Sequence, residues 1–134
     1  MTINFKQQID EELRPIYEAL IDFVASSEPL VSVNAGQSKN DNFPYRGFLS
    51  FTKASSENEL ALTVNVKTLD SGELIKSDVC LDDGRLIADG PSVLLSNRNK
   101  VEINSSILSD WASKYRLFVS ESKEDIIVEI RKWG

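Results

Sequence analysis

The sequence predicts an α+β fold, an antiparallel sheet of about five to six strands with two amphipathic helices packed on one face. Two observations indicate this class. Apolar residues recur every three to four positions near the start of the chain and again after residue 104, whereas strand and turn signals are grouped between these segments. Grouped strands favour α+β over an alternating α/β fold. The 134 residues are expected to form one domain, 1–134.

The first predicted helix occupies the segment between Asn4 and Ser27, with Asn4 as its N-cap. One apolar stripe defines it, formed by Ile9, Leu13, Ile16, Tyr17, Leu20 and Val24. Pro15 lies inside the stripe, and because proline lacks a backbone donor, a kink or two abutting helices are expected there.

A short edge strand is predicted at 30–33, followed by a loop at 34–44 that is rich in Asn, Gly and Ser. Loops of this length are often functional, so 34–44 is a candidate contact surface. The alternative is that 34–44 is a surface loop without a function.

The central part of the chain predicts a meander of antiparallel strands. Segments 45–53 and 59–69 read as a pair, and the second alternates cleanly between apolar and polar positions. A third strand at 74–81 ends in Asp82-Asp83-Gly84, a strong hairpin signal after which 85–88 returns.

The last third of the chain is harder to interpret. Segment 91–96 reads as a helical turn or a strand, with the turn favoured, and 101–103 as a short strand. A second helix is expected after a cap at 104 or 105, with one apolar face made of Ile107, Leu108, Trp111, Tyr115, Phe118 and Val119. Alternation at 126–131 predicts a closing strand, and Trp133 is expected to seal the core.

The chain contains no histidine and a single cysteine, Cys80. Zinc, haem and iron–sulfur sites need several such ligands, so the sequence predicts no metal site, no cofactor and no catalytic residues. Asp82, Asp83 and Asp89 could hold a hard cation, but a tight turn is the better interpretation of Asp-Gly. The single cysteine permits no internal disulfide, and the sequence has neither signal-peptide features nor a long apolar stretch, so a cytoplasmic protein that does not enter the membrane is expected.

Negative charge is concentrated in two segments. The chain carries −6 in total, and segments 1–28 and 70–89 each hold six acids against two bases. Nucleic acid and anionic membranes are poor partners for such a surface, because phosphate binding needs clustered Lys and Arg. A basic protein would be attracted. The alternative is that the charge only keeps the chain in solution.

The residues expected to bind this partner are the acids of the second segment, Asp70, Glu73, Asp78, Asp82, Asp83 and Asp89. If one face of the sheet is uncovered, Arg46 and Phe48 share it and present an aromatic–arginine pair, a combination enriched at binding hot spots. A second layer over Phe48 is the alternative.

The expected function is therefore that of a non-enzymatic, acidic protein-binding module that occludes or chaperones a basic partner. Bacterial immunity proteins and secretion chaperones are analogous in fold class and charge only. The alternative is a small-ligand-binding or enzymatic domain with a pocket between sheet and helices, lined by residues such as Tyr17, Tyr45 and Phe51. Homo-oligomers could form by pairing of strand edges at 30–33 or 126–130.

Overall fold

The computed structural model describes residues 5–38 and 45–133, in which one helix precedes six strands and a second, longer helix follows them. The elements are α1 Lys6–Ser27, β1 Val31–Ser38, β2 Tyr45–Lys53, β3 Glu59–Leu69, β4 Gly72–Leu81, β5 Leu86–Asp89, β6 Val93–Ser96 and α2 Val101–Arg131.

All neighbouring strands are antiparallel, in the order β1-β2-β3-β4-β5, with β6 also paired to β4. β5 and β6 share one edge of β4, since β5 pairs with residues 78–80 and β6 with residues 72–75. Gly72 permits this arrangement. Its φ of +153° suits glycine, and a Cβ there would lie 2.0 Å from the backbone oxygen of Leu95 in β6.

One apolar layer lies between the helices and a single face of the sheet, which confirms the predicted fold class. Alternate residues of β2, β3 and β4 point into it, and the buried ones are Tyr45, Leu49, Phe51, Leu60, Leu62, Val64, Val66, Ile75, Val79 and Leu81. The helices contribute Ile9, Leu13, Ile16, Leu20 and Val24 from α1 and Leu108, Trp111, Tyr115, Val119, Ile126, Ile127 and Ile130 from α2. Trp133 is buried beside them.

The predicted closing strand at 126–131 is wrong, because these residues are the last turns of α2. Ile126, Ile127 and Ile130 are buried whereas Val128 is exposed, which is the spacing of a helix and not of a strand. Three β-branched residues in alternation suggested a strand. No glycine or proline occurs between residues 101 and 131, so nothing interrupts the helix.

Four other local expectations change. Segment 93–96 is a strand, not a helical turn, because β4 extends past β5 and leaves pairing groups for it. The predicted strand at 101–103 is the first turn of α2. The edge strand extends through Ser38, so only 39–44 remain of the predicted loop, and they lie outside the described residues together with the predicted cap Asn4.

The fourth change concerns α1, for which a kink or two abutting helices were the alternatives at Pro15. The second alternative is wrong, because α1 is one helix with Pro15 inside it. Pro15 is exposed, on the side of α1 that faces away from the sheet.

The helical assignment of the last segment predicts unequal effects of two neighbouring substitutions. Ile130→Ala should lower the free energy of unfolding by about 2–4 kcal/mol, because Ile130 is fully buried. Val128→Ala, the matched control, should change it by less than about 0.5 kcal/mol, because Val128 is 53% exposed. Urea denaturation measures both values, and equal losses would contradict the helix.

Candidate functional site

The helices leave the second face of the sheet uncovered, and strand register orders its side chains in rows. One row crosses the sheet from Phe48 on β2 through Thr63 on β3 to Asp78 on β4 and Asp89 on β5. Directly paired residues of antiparallel strands point to the same side, so these four side chains share the open face.

Phe48 is the one aromatic side chain in this row. It is half-buried because its ring covers Gly36 of β1, where an added Cβ would lie 2.7 Å from the ring. The aromatic ring therefore packs on β1 at the open face while part of it remains in contact with solvent.

Asp78 is held in place at the other end of the row. The Thr63 hydroxyl donates a 2.6 Å hydrogen bond to its carboxylate, and Asp89 is its direct cross-strand neighbour. The negative charges of Asp78 and Asp89 repel each other because the two residues are directly opposite on paired strands. A cation from a partner would relieve that repulsion.

Three further acids extend this negative region toward the turn between β4 and β5. The backbone of Asp82 donates to the carbonyl of Glu59 at 3.0 Å, which brings the start of β3 beside the turn. Asp83 follows, with a 3.5 Å ion pair to the exposed Arg85. We call Glu59, Asp78, Asp82, Asp83 and Asp89 the acidic corner.

Two of the predicted binding acids lie elsewhere. Asp70 is in the turn between β3 and β4, at the opposite end of β4 from the acidic corner. Glu73 points inward and is 7% exposed, opposite Thr68 and Leu95. Its Oε1 has no hydrogen-bond partner among the described residues, and burial raises the pKa of this carboxyl. Glu73 is therefore not available to a partner.

Positive charge occupies the adjacent row of the open face. Arg46, Asn65 and Lys76 follow one another across β2, β3 and β4, next to the row that contains Phe48. The Asn65 Oδ1 is buried and has no partner in the part of the chain that is described. The open face thus carries cations toward one end and carboxylates toward the other.

Cys80 also lies on the open face, opposite Ala61 and half-buried. Burial raises the pKa of its thiol, and the neighbouring Asp78 raises it further. A thiol with a raised pKa forms less of the reactive thiolate, so this environment disfavours a nucleophilic role for Cys80.

A polar cleft of about 320 Å³ opens between α1 and strands β1 and β2. Asp10 accepts hydrogen bonds there from Tyr45 at 2.8 Å and from Gln37 at 2.7 Å. Tyr17 lines the cleft and shares a 3.3 Å hydrogen bond with Tyr115.

The phenols around this cleft remain protonated. Burial raises the pKa of Tyr17 to about 12, and burial together with Asp10 raises that of Tyr45. They can donate hydrogen bonds but cannot act as bases near neutral pH. Phe51 is fully buried in the core and is not among the residues that line the cleft.

A second, more apolar groove of about 390 Å³ lies between the two helices. Ile16, Leu20, Phe23 and Val119 are among the residues that line it. Lys123 lines it too, with its ammonium 4.8 Å above the Phe23 ring.

The alternation of inward and outward side chains along each strand, applied to every position, would have identified more residues of this site. Glu59 and Asn65 alternate with the buried Leu60 and Val64, so the sequence contained the signal that both face away from the core. The same alternation places Glu73 with Ile75, on the inner face. Which acids lie side by side depends on register across strands, which alternation alone does not determine.

Over residues 5–38 and 45–133, no three Cys, Asp or Glu side chains converge on a position that could hold a metal ion. Neither α1 nor α2 has the length of apolar sequence that crossing a bilayer requires. Comparison with protein families, curated proteins and solved structures gives no match to this chain, so the site is interpreted from its own chemistry.

The buried carboxyl of Glu73, whose Oε1 has no hydrogen-bond partner among the described residues, predicts a pH dependence of stability. Its folded-state pKa is raised above the ordinary 4.5, so the wild type should lose stability as pH rises past that value. Glu73→Gln mimics the protonated form and should be more stable than the wild type near pH 8, with a difference that shrinks as pH falls toward 4.5. Denaturant unfolding at several pH values tests this, and a difference between the proteins that does not vary with pH would contradict it.

Proposed function

We propose that this chain is a non-enzymatic protein-binding module that captures a basic protein on the open face of its sheet. One observation carries the proposal. The register places Phe48 in the same row as Asp78 and Asp89, so an aromatic anchor and a carboxylate pair share one surface. Aromatic anchors beside complementary charge are typical of protein interfaces.

The acidic corner supports a cationic partner. Its five carboxylates have only Arg85 as a nearby ion-pair partner in the described chain, through Asp83. Charges this dense act over about 8 Å at physiological salt, so they would speed the encounter with a basic surface. The contribution is to association rate and selectivity more than to affinity.

The row of cations gives the complex a direction. By register, Arg46 and Lys76 lie toward the opposite end of the open face from Glu59 and Asp82, and the Arg46 guanidinium reaches far enough to lower the pKa of the Cys80 thiol. A partner would match both ends only in one orientation, with its basic region over the acidic corner and acids over Arg46 and Lys76. Like charges would oppose the reversed docking.

An open and largely polar face suits occlusion of a folded basic surface, the mode expected of immunity proteins to which this chain is analogous in fold class and charge. A chaperone for an extended segment would need a row of side-chain pockets instead. We place the interaction in the cytoplasm, because the lone Cys80 permits no internal disulfide.

Charge reversal at the acidic corner tests the proposal. The wild type, immobilised and exposed to lysate of its own cells, should retain a basic protein that mass spectrometry identifies. The double variant Asp82→Lys/Asp89→Lys should bind the purified partner at least about tenfold more weakly, because it replaces attraction by repulsion. The matched control, Glu18→Lys/Asp22→Lys, alters the same number of charges on exposed positions of α1 and should bind like the wild type.

Two further measurements sharpen this test. Affinity of the wild type should fall as salt rises, whereas Phe48→Ala should weaken binding at every salt concentration without changing that slope. Retention of an acidic partner, or equal loss of binding by the corner variant and its control, would contradict the proposal.

A second candidate function is binding of a small zwitterion in the polar cleft, favoured by the presence of Asp10 and Arg14 in one cavity with neutral tyrosines. Titration with individual free amino acids, followed by NMR, should then give saturable shifts at Gln37 and Tyr45. Arg14→Ala should abolish them and Arg116→Ala, on the other groove, should not. Absence of saturable shifts with every amino acid would exclude this candidate.

A further inference from the structure

The free side of β1 is a long strand edge. All eight residues from Val31 to Ser38 pair with β2 in unbroken register. Among residues 5–38 and 45–133, no strand pairs with the other side of β1. Every second residue of β1 therefore directs its backbone N–H and C=O groups away from the sheet.

This edge lacks the devices that protect edges from pairing. Charged side chains, prolines, bulges and short length are the usual protection. The segment VSVNAGQS contains no charge and no proline, and its register shows no bulge.

The opposite edge of the sheet differs in three of these respects: length, bulge and charge. β5 and β6 have four residues each, the register shifts between Val79 and Cys80, and Asp89 ends β5. The edge formed by β5 and β6 is therefore protected against pairing, and the edge formed by β1 is not. Such a sheet favours pairing through the same edge of two molecules over head-to-tail growth.

Exposed apolar side chains accompany the open edge. Leu30, just before β1, is 81% exposed, and Val33 within it is 37% exposed on the side that faces the core layer. α1 covers β1 only in part, since the polar cleft lies between them. A strand added beside β1 would bury both side chains and continue the inner face of the sheet.

We propose that a second copy of this chain occupies the edge, with the two β1 strands antiparallel about a two-fold axis. The sheets would then join into one continuous sheet, and the dimer would be closed because both copies use the same edge. No charged residue occurs from 29 to 38, so the edges meet without like-charge contact although each chain carries −6. The acidic corner, on β3, β4 and β5, remains accessible, so this inference is independent of the proposed function.

The oligomeric state of the purified full chain tests the inference. Sedimentation should show a monomer–dimer equilibrium for the wild type. Val33→Lys places a charge on the edge and should weaken dimerisation at least tenfold. Val128→Lys makes the same substitution at an exposed position of α2 and should leave the dimer unchanged.

Circular dichroism verifies that each variant folds. If Val33→Lys does not fold, Ala35→Lys, whose side chain lies on the same side of β1, replaces it. Hydrogen exchange of the wild type gives a readout without substitution, since β1 amides should gain protection as concentration rises from micromolar to millimolar. A monomer at millimolar concentration would overturn the inference. So would a dimer that both lysine variants weaken equally or that neither affects, or exchange of β1 amides that does not depend on concentration.

Discussion

One-sided burial is the constraint on which the rest of this structure depends. Both helices are amphipathic, and a single sheet face must cover both stripes. Trp111 and Tyr115 of α2 stack at 5.2 Å at the centre of this layer. Their polar atoms find partners within it, because the Trp111 Nε1 donates to the Pro91 carbonyl at 2.9 Å and the Tyr115 hydroxyl contacts that of Tyr17 at 3.3 Å. These bonds fix α2 against α1 and against the segment between β5 and β6.

Because the apolar layer takes one face, the other face is free to carry polar groups in fixed positions. Ser50 and Thr63 are almost fully buried there, and their hydroxyls donate to the Asn34 carbonyl at 3.3 Å and to the Asp78 carboxylate at 2.6 Å. Carboxylates and cations on this face are thus presented from a rigid sheet rather than from loops. Rigid presentation lowers the entropic cost of binding, and the open face is for that reason the better candidate site than the half-covered cleft.

Sequence periodicity predicted most of the fold and less of the site. Alternation identified β3 because Leu60, Leu62 and Val64 face one apolar layer. Asp82-Asp83-Gly84 marked the hairpin between β4 and β5, where Gly84 has a φ of 88°. Alternation also misled at 126–131, where the isoleucines satisfy both periods over so short a window. The sequence left a strand at 93–96 as the less favoured alternative, since the feature that decides for it is the half of β4 that β5 does not pair with. The pairing of Asp78 with Asp89 depends on a register shift at Val79 that no local pattern reports.

The order of elements has a consequence for synthesis on the ribosome. The strands emerge first, and the 31 residues of α2 that cover much of their apolar face follow. At about 5–20 residues per second, the nascent sheet waits about 2–6 s for that helix. During this interval α1 is the one cover available, and the cell's ribosome-associated chaperones would meet a half-shielded sheet. Slower translation across 101–131 would lengthen that exposure and favour aggregation of unfinished chains.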